Sequence, residues 1–159
     1  MMFELYRRAE RAVSGRFAEA IMLLFVRVAL AGTFWRSGRT KIEEGTWITI
    51  SESAYSLFET EYAGVPFPPA VAAVMATVAE HVFPALLLVG LATRFSAFAL
   101  LVMALVIQIF VYPEAWWSVH LLWVARTMVL IVRGGGRLSI DAALGRGRRE
   151  PRPAMAMAG

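Results

Sequence analysis

The sequence has no cysteine. That absence excludes disulfides, thiol redox chemistry, zinc–thiolate sites and Cys-ligated iron–sulfur clusters. Histidine is scarce, with two residues, and neither lies in an HExxH or a Ser–His–Asp arrangement. The glycine run Arg133-Gly-Gly-Gly-Arg137 lacks the GxxxxGK[ST] spacing of a phosphate loop. No internal repeat is present, and the strict apolar/polar alternation of membrane barrel strands is missing. What the chain does have is apolar residues, at 58% of its length and a mean hydropathy of +0.60. Soluble domains hold about 45–50%, and here the excess is gathered into four blocks.

A membrane-crossing helix needs roughly 20 mostly apolar residues. Four segments qualify: Phe17 to Trp35, Pro68 to Ala92, Phe95 to Tyr112 and Ala115 to Val132. The third carries no charge. The fourth, no longer than the third, carries His120 and Arg126 and is the least apolar. Because a bilayer admits only helices or closed barrels, the expected fold is all-α, a four-transmembrane-helix bundle. A loop of about 30 residues joins helices 1 and 2, and its Ile48–Tyr62 stretch has the apolar spacing of a short amphipathic helix. The expected organisation is an N-terminal arm over 1–16, a membrane domain over 17–144 and a disordered basic tail over 145–159.

Net charge is +4 and the pI about 10.1. The arginines flank apolar blocks instead of forming a stripe, so no nucleic-acid partner is expected; the bilayer is the partner. Arg7, Arg8, Arg11, Arg16, Arg94, Arg133, Arg137, Arg146, Arg148, Arg149 and Arg152 fall on one side of a four-span topology. Arg36, Arg39 and Lys41 fall on the other. The positive-inside rule then puts both termini in the cytoplasm, in a plasma (inner) membrane of bacterial type. The charged N-terminal arm does not have the pattern of a signal peptide. Trp35, Trp116 and Trp117 fall at the outer ends of spans, as an aromatic belt requires.

Three charged residues fall near the middle of spans. Arg27, Glu80 and Arg126 each lie around 15–18 Å from a surface by helical rise. A charge at the bilayer centre costs about 2.5–3.5 kcal/mol on insertion scales. The expectation is therefore a buried polar cluster in which Glu80 bridges Arg27 and Arg126, with His81 beside it. The residues leave two roles open: a ligand or proton site, or a device that sets helix register. Pro84 leaves the Glu80 carbonyl without its helical donor. Lys41, Glu114, Trp116 and His120 are candidates for the outer face; His120 with its neighbours reads mainly as part of an aromatic girdle. His81 and His120 differ in depth by about 10 Å, which does not suit a shared haem. No metal set is expected. Gln108 is placed to hydrogen-bond across helices.

These residues resemble the DoxX family of small four-helix membrane proteins. The resemblance runs from about Ala20 to Leu144. It is carried by VRVALAGTFWRSGRTKI, by FETEYAGVPFPP, by AEHVFPALLLVGLATRFSA and by the ending GGGRLSID. The segment YPEAWWSVHLLW is similar to the branch found beside ribosomally made metal-binding peptides and their iron-dependent modifying enzymes. The resemblance implies a membrane subunit related to a thiosulfate:quinone oxidoreductase, or to complexes that handle oxidative or thiol stress. A cofactor is not evident from the residues. If electrons pass through this chain, a bound quinone or a partner subunit must carry them. Three functions follow as expectations: a subunit of a quinone-linked redox or oxidative/metal-stress system, a non-catalytic anchor or assembly partner, and a small transporter of an anion or metal–peptide complex. The last would require a homo-oligomer, since four helices are few for alternating access.

Overall fold

A computed structural model describes residues 3, 4, 7 and 15–147. In chain order the helices are α1 (Arg16–Arg39), α2 (Glu52–Thr60), α3 (Pro69–Val89), α4 (Thr93–Phe110), α5 (Leu121–Arg133) and α6 (Ile140–Gly147). A 3-10 turn at Pro113–Ala115 and a π turn at Trp116–His120 lead into α5. Four segments are long and apolar enough to cross a membrane: α1, α3, α4 and the composite Pro113–Arg133. Among the described residues there is no strand, only an isolated bridge between Ile42 and Ile50. The all-α four-span architecture is thus present, with a short helix in the long loop.

Local sequence explains the boundaries. α1 carries Glu19 in its first turn and Arg36 and Arg39 in its last, each favourable to the helix dipole. Ser51 caps α2, its Oγ accepting from the Ala54 amide at 3.2 Å. Pro69 opens α3, and Gly90, at φ 71°, closes it in the left-handed region. α1 extends four residues past the expected end at Trp35, because Arg36, Ser37 and Arg39 sit where the helix meets polar surroundings. The expected arm and tail lie almost wholly outside the described residues. The first three tail positions, 145–147, are helical as the end of α6, a correction to the expectation of disorder there.

The spans form a ring in which α1 packs on α3, α3 on α4, α4 on α5, and α5 back on α1. Their inward stripe is Leu23, Leu30, Ala31, Phe34, Leu87, Ala97, Leu100, Ala104 and Leu130. The outward faces stay apolar: Phe25, Val78, Phe98 and Val132 are all exposed. Left in water, that surface would cost about 25 cal/mol per Å²; acyl chains accept it. α2 lies against the first half of α3, where Phe58 meets Ala72 and Ala73.

α1 and α3 approach closely at Gly38. A Cβ there would stand 2.8 Å from His81 Cε1 and 3.0 Å from Glu80 Cβ. At Gly32 on the same helix a Cβ meets nothing within 4 Å. We expect Gly38→Ala to lower stability in detergent by about 1–3 kcal/mol, the usual cost of overpacking. Gly32→Ala should stay within about 0.5 kcal/mol of wild type. Thermal unfolding of the two variants side by side checks this.

Candidate functional site

The end of α1 and the middle of α3 bring a buried lysine and a buried glutamate together inside the bundle. Lys41 Nζ donates to Glu80 Oε2 at 2.8 Å, and Ser37 Oγ donates to Glu80 Oε1 at 3.0 Å. Lys41 also donates to the Ser37 carbonyl at 3.3 Å and lies 3.2 Å from the Ser37 hydroxyl. Lys41 is 5% exposed and Glu80 2%. Both carboxylate oxygens are therefore engaged, and the pair carries no net charge. The loop after α1 folds over Lys41: Ser51 donates its amide to the Lys41 carbonyl at 3.0 Å. Lys41 thus reaches inward from a position expected on the outer face.

His81 follows Glu80 and faces α1. Its Nδ1 lies 2.7 Å from the Thr77 carbonyl, an acceptor, so Nδ1 carries the proton. Nε2 is buried and has no hydrogen-bond partner among the described residues. The ring meets Trp35 edge-on at 5.0 Å.

Beside the ion pair lies a cavity of about 330 Å³ between α2, α3 and α4. Lys41 and Glu80 form its polar end. Phe58 and Tyr62, stacked at 4.4 Å, roof it, and Ala76, Ala79 and Met103 are among the apolar side walls. Met75 and Val102 line it too and are about half exposed, so its mouth lies between α3 and α4 on the apolar outer face. Burial, and then the charges of Glu80 and Glu61, push the Tyr62 phenol up to about 12. Tyr62 is accordingly a protonated hydroxyl at any ordinary pH. The segment carrying it is anchored by the Tyr112 hydroxyl, which bonds the Glu61 carboxylate.

The expected bridge from Glu80 to Arg27 and Arg126 does not form. Arg27 donates Nε to the Leu87 carbonyl (2.7 Å), Nη2 to Leu88 (2.7 Å), and Nη1 to Gly135 (2.9 Å) and Leu138 (2.7 Å). The reason is register. Ser37 is level with Glu80, and Arg27 lies about 15 Å further along α1. That places Arg27 where α3 ends at Gly90 and leaves carbonyls without helical donors. Arg126, half-buried on α5, donates to Thr33 Oγ1 at 3.4 Å. His120 is buried, its Nδ1 2.7 Å from Gln108 Oε1, and Gln108 donates to the Pro113 carbonyl at 2.8 Å. Trp116 is half-buried, and Glu114 and Trp117 are exposed at the same end.

Three contributors were not singled out from the residues: Ser37, Tyr62 and Asp141. All three lay inside the quoted motifs, as carriers of the resemblance, but only the structure reveals their roles. Asp141 accepts the Ala92 and Thr93 amides, each at 2.8 Å, and so caps α4, which starts from a left-handed Ala92 (φ 48°). Partial burial opposes ionisation of Asp141. Hydrogen bonds from Thr93 and Ala92 and the charge of Arg27 outweigh it, and hold the carboxyl below its ordinary value.

A DoxX family model matches residues 22–113. The matched stretch holds Ser37, Lys41, Glu80 and the whole apolar cavity; Arg126 and Asp141 lie beyond it. A protein of Haemophilus influenzae (strain Rd), described as uncharacterized, is 29% identical over 140 residues, covering 78% of this chain and 83% of its own. No solved structure matches.

Breaking a buried ion pair from one side leaves an uncompensated group and costs about 3–5 kcal/mol. Lys41→Met and Glu80→Leu should each destabilise by that amount. The double variant should cost clearly less than the sum, a coupling of about 1–3 kcal/mol, read from a double-mutant cycle of unfolding in detergent.

Asp141 sets a second expectation. Its folded pKa is depressed, so its contribution is present above the unfolded value near 3.8 and disappears as pH falls through the folded one. Asp141→Asn should cost about 1 kcal/mol near neutrality, as loss of a cap does. The gap from wild type should close below pH 3.8 in melts taken across pH.

Proposed function

The chain belongs to the DoxX family, and from that premise we propose that it is the membrane subunit of a quinone-linked redox or oxidative-stress system. Its role is to admit a neutral, quinone-type amphiphile to the Lys41–Glu80 pair. One observation carries the reading: a buried, charge-neutral pair of hydrogen-bonding groups closes the end of an apolar cavity whose mouth faces the acyl chains. Small-molecule sites are typically apolar pockets of about 300–1,000 Å³ with a few polar groups that fix orientation.

The donor set suits a carbonyl-bearing ring. Lys41 Nζ and the protonated Tyr62 hydroxyl are donors, Glu80 holds Lys41 in place, and Phe58 offers a ring face. A quinone, when bound, supplies a two-electron, two-proton couple that this chain's side chains do not. The chain's own part is to orient the ring, keep water out and hold protons at Lys41 and Tyr62. We place the arginine-rich end in the cytoplasm and the cavity in the outer half of a bacterial plasma membrane. A partner subunit would deliver or collect the electrons.

A second reading, a non-catalytic anchor, is favoured by Trp47 and Ile48. They stand 78% and 87% exposed at the tip of the loop after α1, where a partner could cover them. An anion carrier built on Glu80 loses its motive, since Arg27 and Arg126 are engaged elsewhere.

The test uses decylubiquinone with the purified chain in nanodiscs, read by tryptophan fluorescence. Binding should saturate. Ala79→Phe, which fills the cavity, should weaken it at least about tenfold, or 1.4 kcal/mol, while leaving helicity intact. Binding that is unsaturable, or unaltered in a folded Ala79→Phe protein, refutes the quinone assignment. If Trp47→Ala and Ile48→Ala then abolish co-purification of a membrane partner, the anchor reading takes its place.

A further inference from the structure

A second cavity, of about 640 Å³, lies at the other end of the bundle, remote from the Lys41–Glu80 pair. Four arginines from four separate segments line it: Arg16 at the start of α1, Arg94 in the first turn of α4, Arg133 at the end of α5, and Arg137 in the glycine-rich loop. Two carboxylates lie among them. Glu19 is bonded to Arg133, and Asp141 turns both oxygens into the amides at the start of α4. Arg94 spends one nitrogen on the Val132 carbonyl, at 3.2 Å. The cavity therefore keeps a positive excess.

The positive-inside rule accounts for arginines at this end. It does not account for their convergence around one concavity. Nor does it explain the cavity's apolar side, where Ala20, Leu23 and Phe95 continue the lining and Phe95 is 63% exposed toward the lipid-facing surface. A site cationic on one side and apolar on the other matches an amphiphile with an anionic head. Guanidinium groups match phosphate oxygens in geometry and charge.

We infer that this cavity binds the phosphate-bearing headgroup of an anionic membrane lipid, with an acyl chain running past Phe95. The inference is independent of any quinone at the opposite end.

Native mass spectrometry of the full chain in detergent, with phosphatidylglycerol and phosphatidylcholine offered together, tests it. Phosphatidylglycerol should be retained about tenfold more, the arginines favouring an anionic headgroup over a zwitterionic one. Arg16→Gln with Arg94→Gln should abolish the preference, and Arg94→Lys should restore part of it if the double variant folds poorly. Arg36→Gln, which removes one positive charge at the far end, should leave it intact. Millimolar inorganic pyrophosphate should displace the lipid. If pyrophosphate stabilises the wild type but not the double variant and neither lipid is preferred, the anion site stands and its ligand is a free phosphate. Equal retention of both lipids without a pyrophosphate effect overturns the inference. So does a preference that Arg36→Gln removes as readily as the double variant.

Discussion

A guanidinium inside a bilayer cannot be left without acceptors, and Arg27 finds four, all backbone carbonyls. Two belong to the last turn of α3, where Leu87 already accepts from the Gly90 amide and Leu88 lies past the last helical donor. Two belong to the loop that follows α5. One side chain on α1 thereby ties the end of the second span to the end of the fourth. The same loop then places Asp141 on the start of α4. Every span except α1 itself is fixed at this end by groups that Arg27 holds in position. Gly90 is part of the constraint: a Cβ there would fall 2.8 Å from the Arg27 guanidinium carbon and 2.5 Å from Ser139 Cβ.

Fixing that end fixes the register of α1 against α3, and register decides which charges meet. With Arg27 level with the end of α3, Ser37 is level with Glu80. The residue that can reach Glu80 is then Lys41, just beyond the end of α1. The carboxylate thus gains a single cation, and the site beside the cavity is neutral. Had α1 slid by nearly three turns, Arg27 would have faced Glu80, and the Leu88 carbonyl would have lost its guanidinium donor in an apolar interior. The cost of orphaned carbonyls in a membrane, several kcal/mol each, selects the observed register.

The residues made the four spans and the loop helix legible, because length and mean hydropathy are one-dimensional properties and each apolar block is bounded by prolines, glycines or charges. They also identified Arg27, Glu80, His81 and Lys41 as groups that need an explanation. What they could not supply was the relative height of neighbouring helices. Counting inward from each span's edge treats all spans as equally long and level. α1 has 24 residues and α4 has 18, and α2 occupies the space beyond the end of α1 against the first half of α3. That offset moves Glu80 away from the height of Arg27 by about 15 Å of helix. The pairing of His120 with Gln108 was more accessible, since the two flank a short turn and a polar group in a span must bond across it.

The two ends of the bundle follow from one economy applied to different groups. At the end nearest the loop between α1 and α2 a lysine and a glutamate neutralise one another, and the cavity beside them is left with hydrogen-bonding capacity but no net charge. At the opposite end Arg27 consumes backbone acceptors and Asp141 consumes backbone donors. The arginines lining that end outnumber the two carboxylates, Glu19 and Asp141, that line it with them. A neutral pair and a cationic cluster are thus sorted to opposite ends by where backbone partners happen to be available. The apolar flank of each cavity does the rest. Met75 and Val102 at one end, and Phe95 at the other, open each concavity sideways to the acyl chains instead of to water. A water-soluble ligand would have to cross that apolar rim, whereas a molecule already dissolved in the bilayer meets it as ordinary solvent.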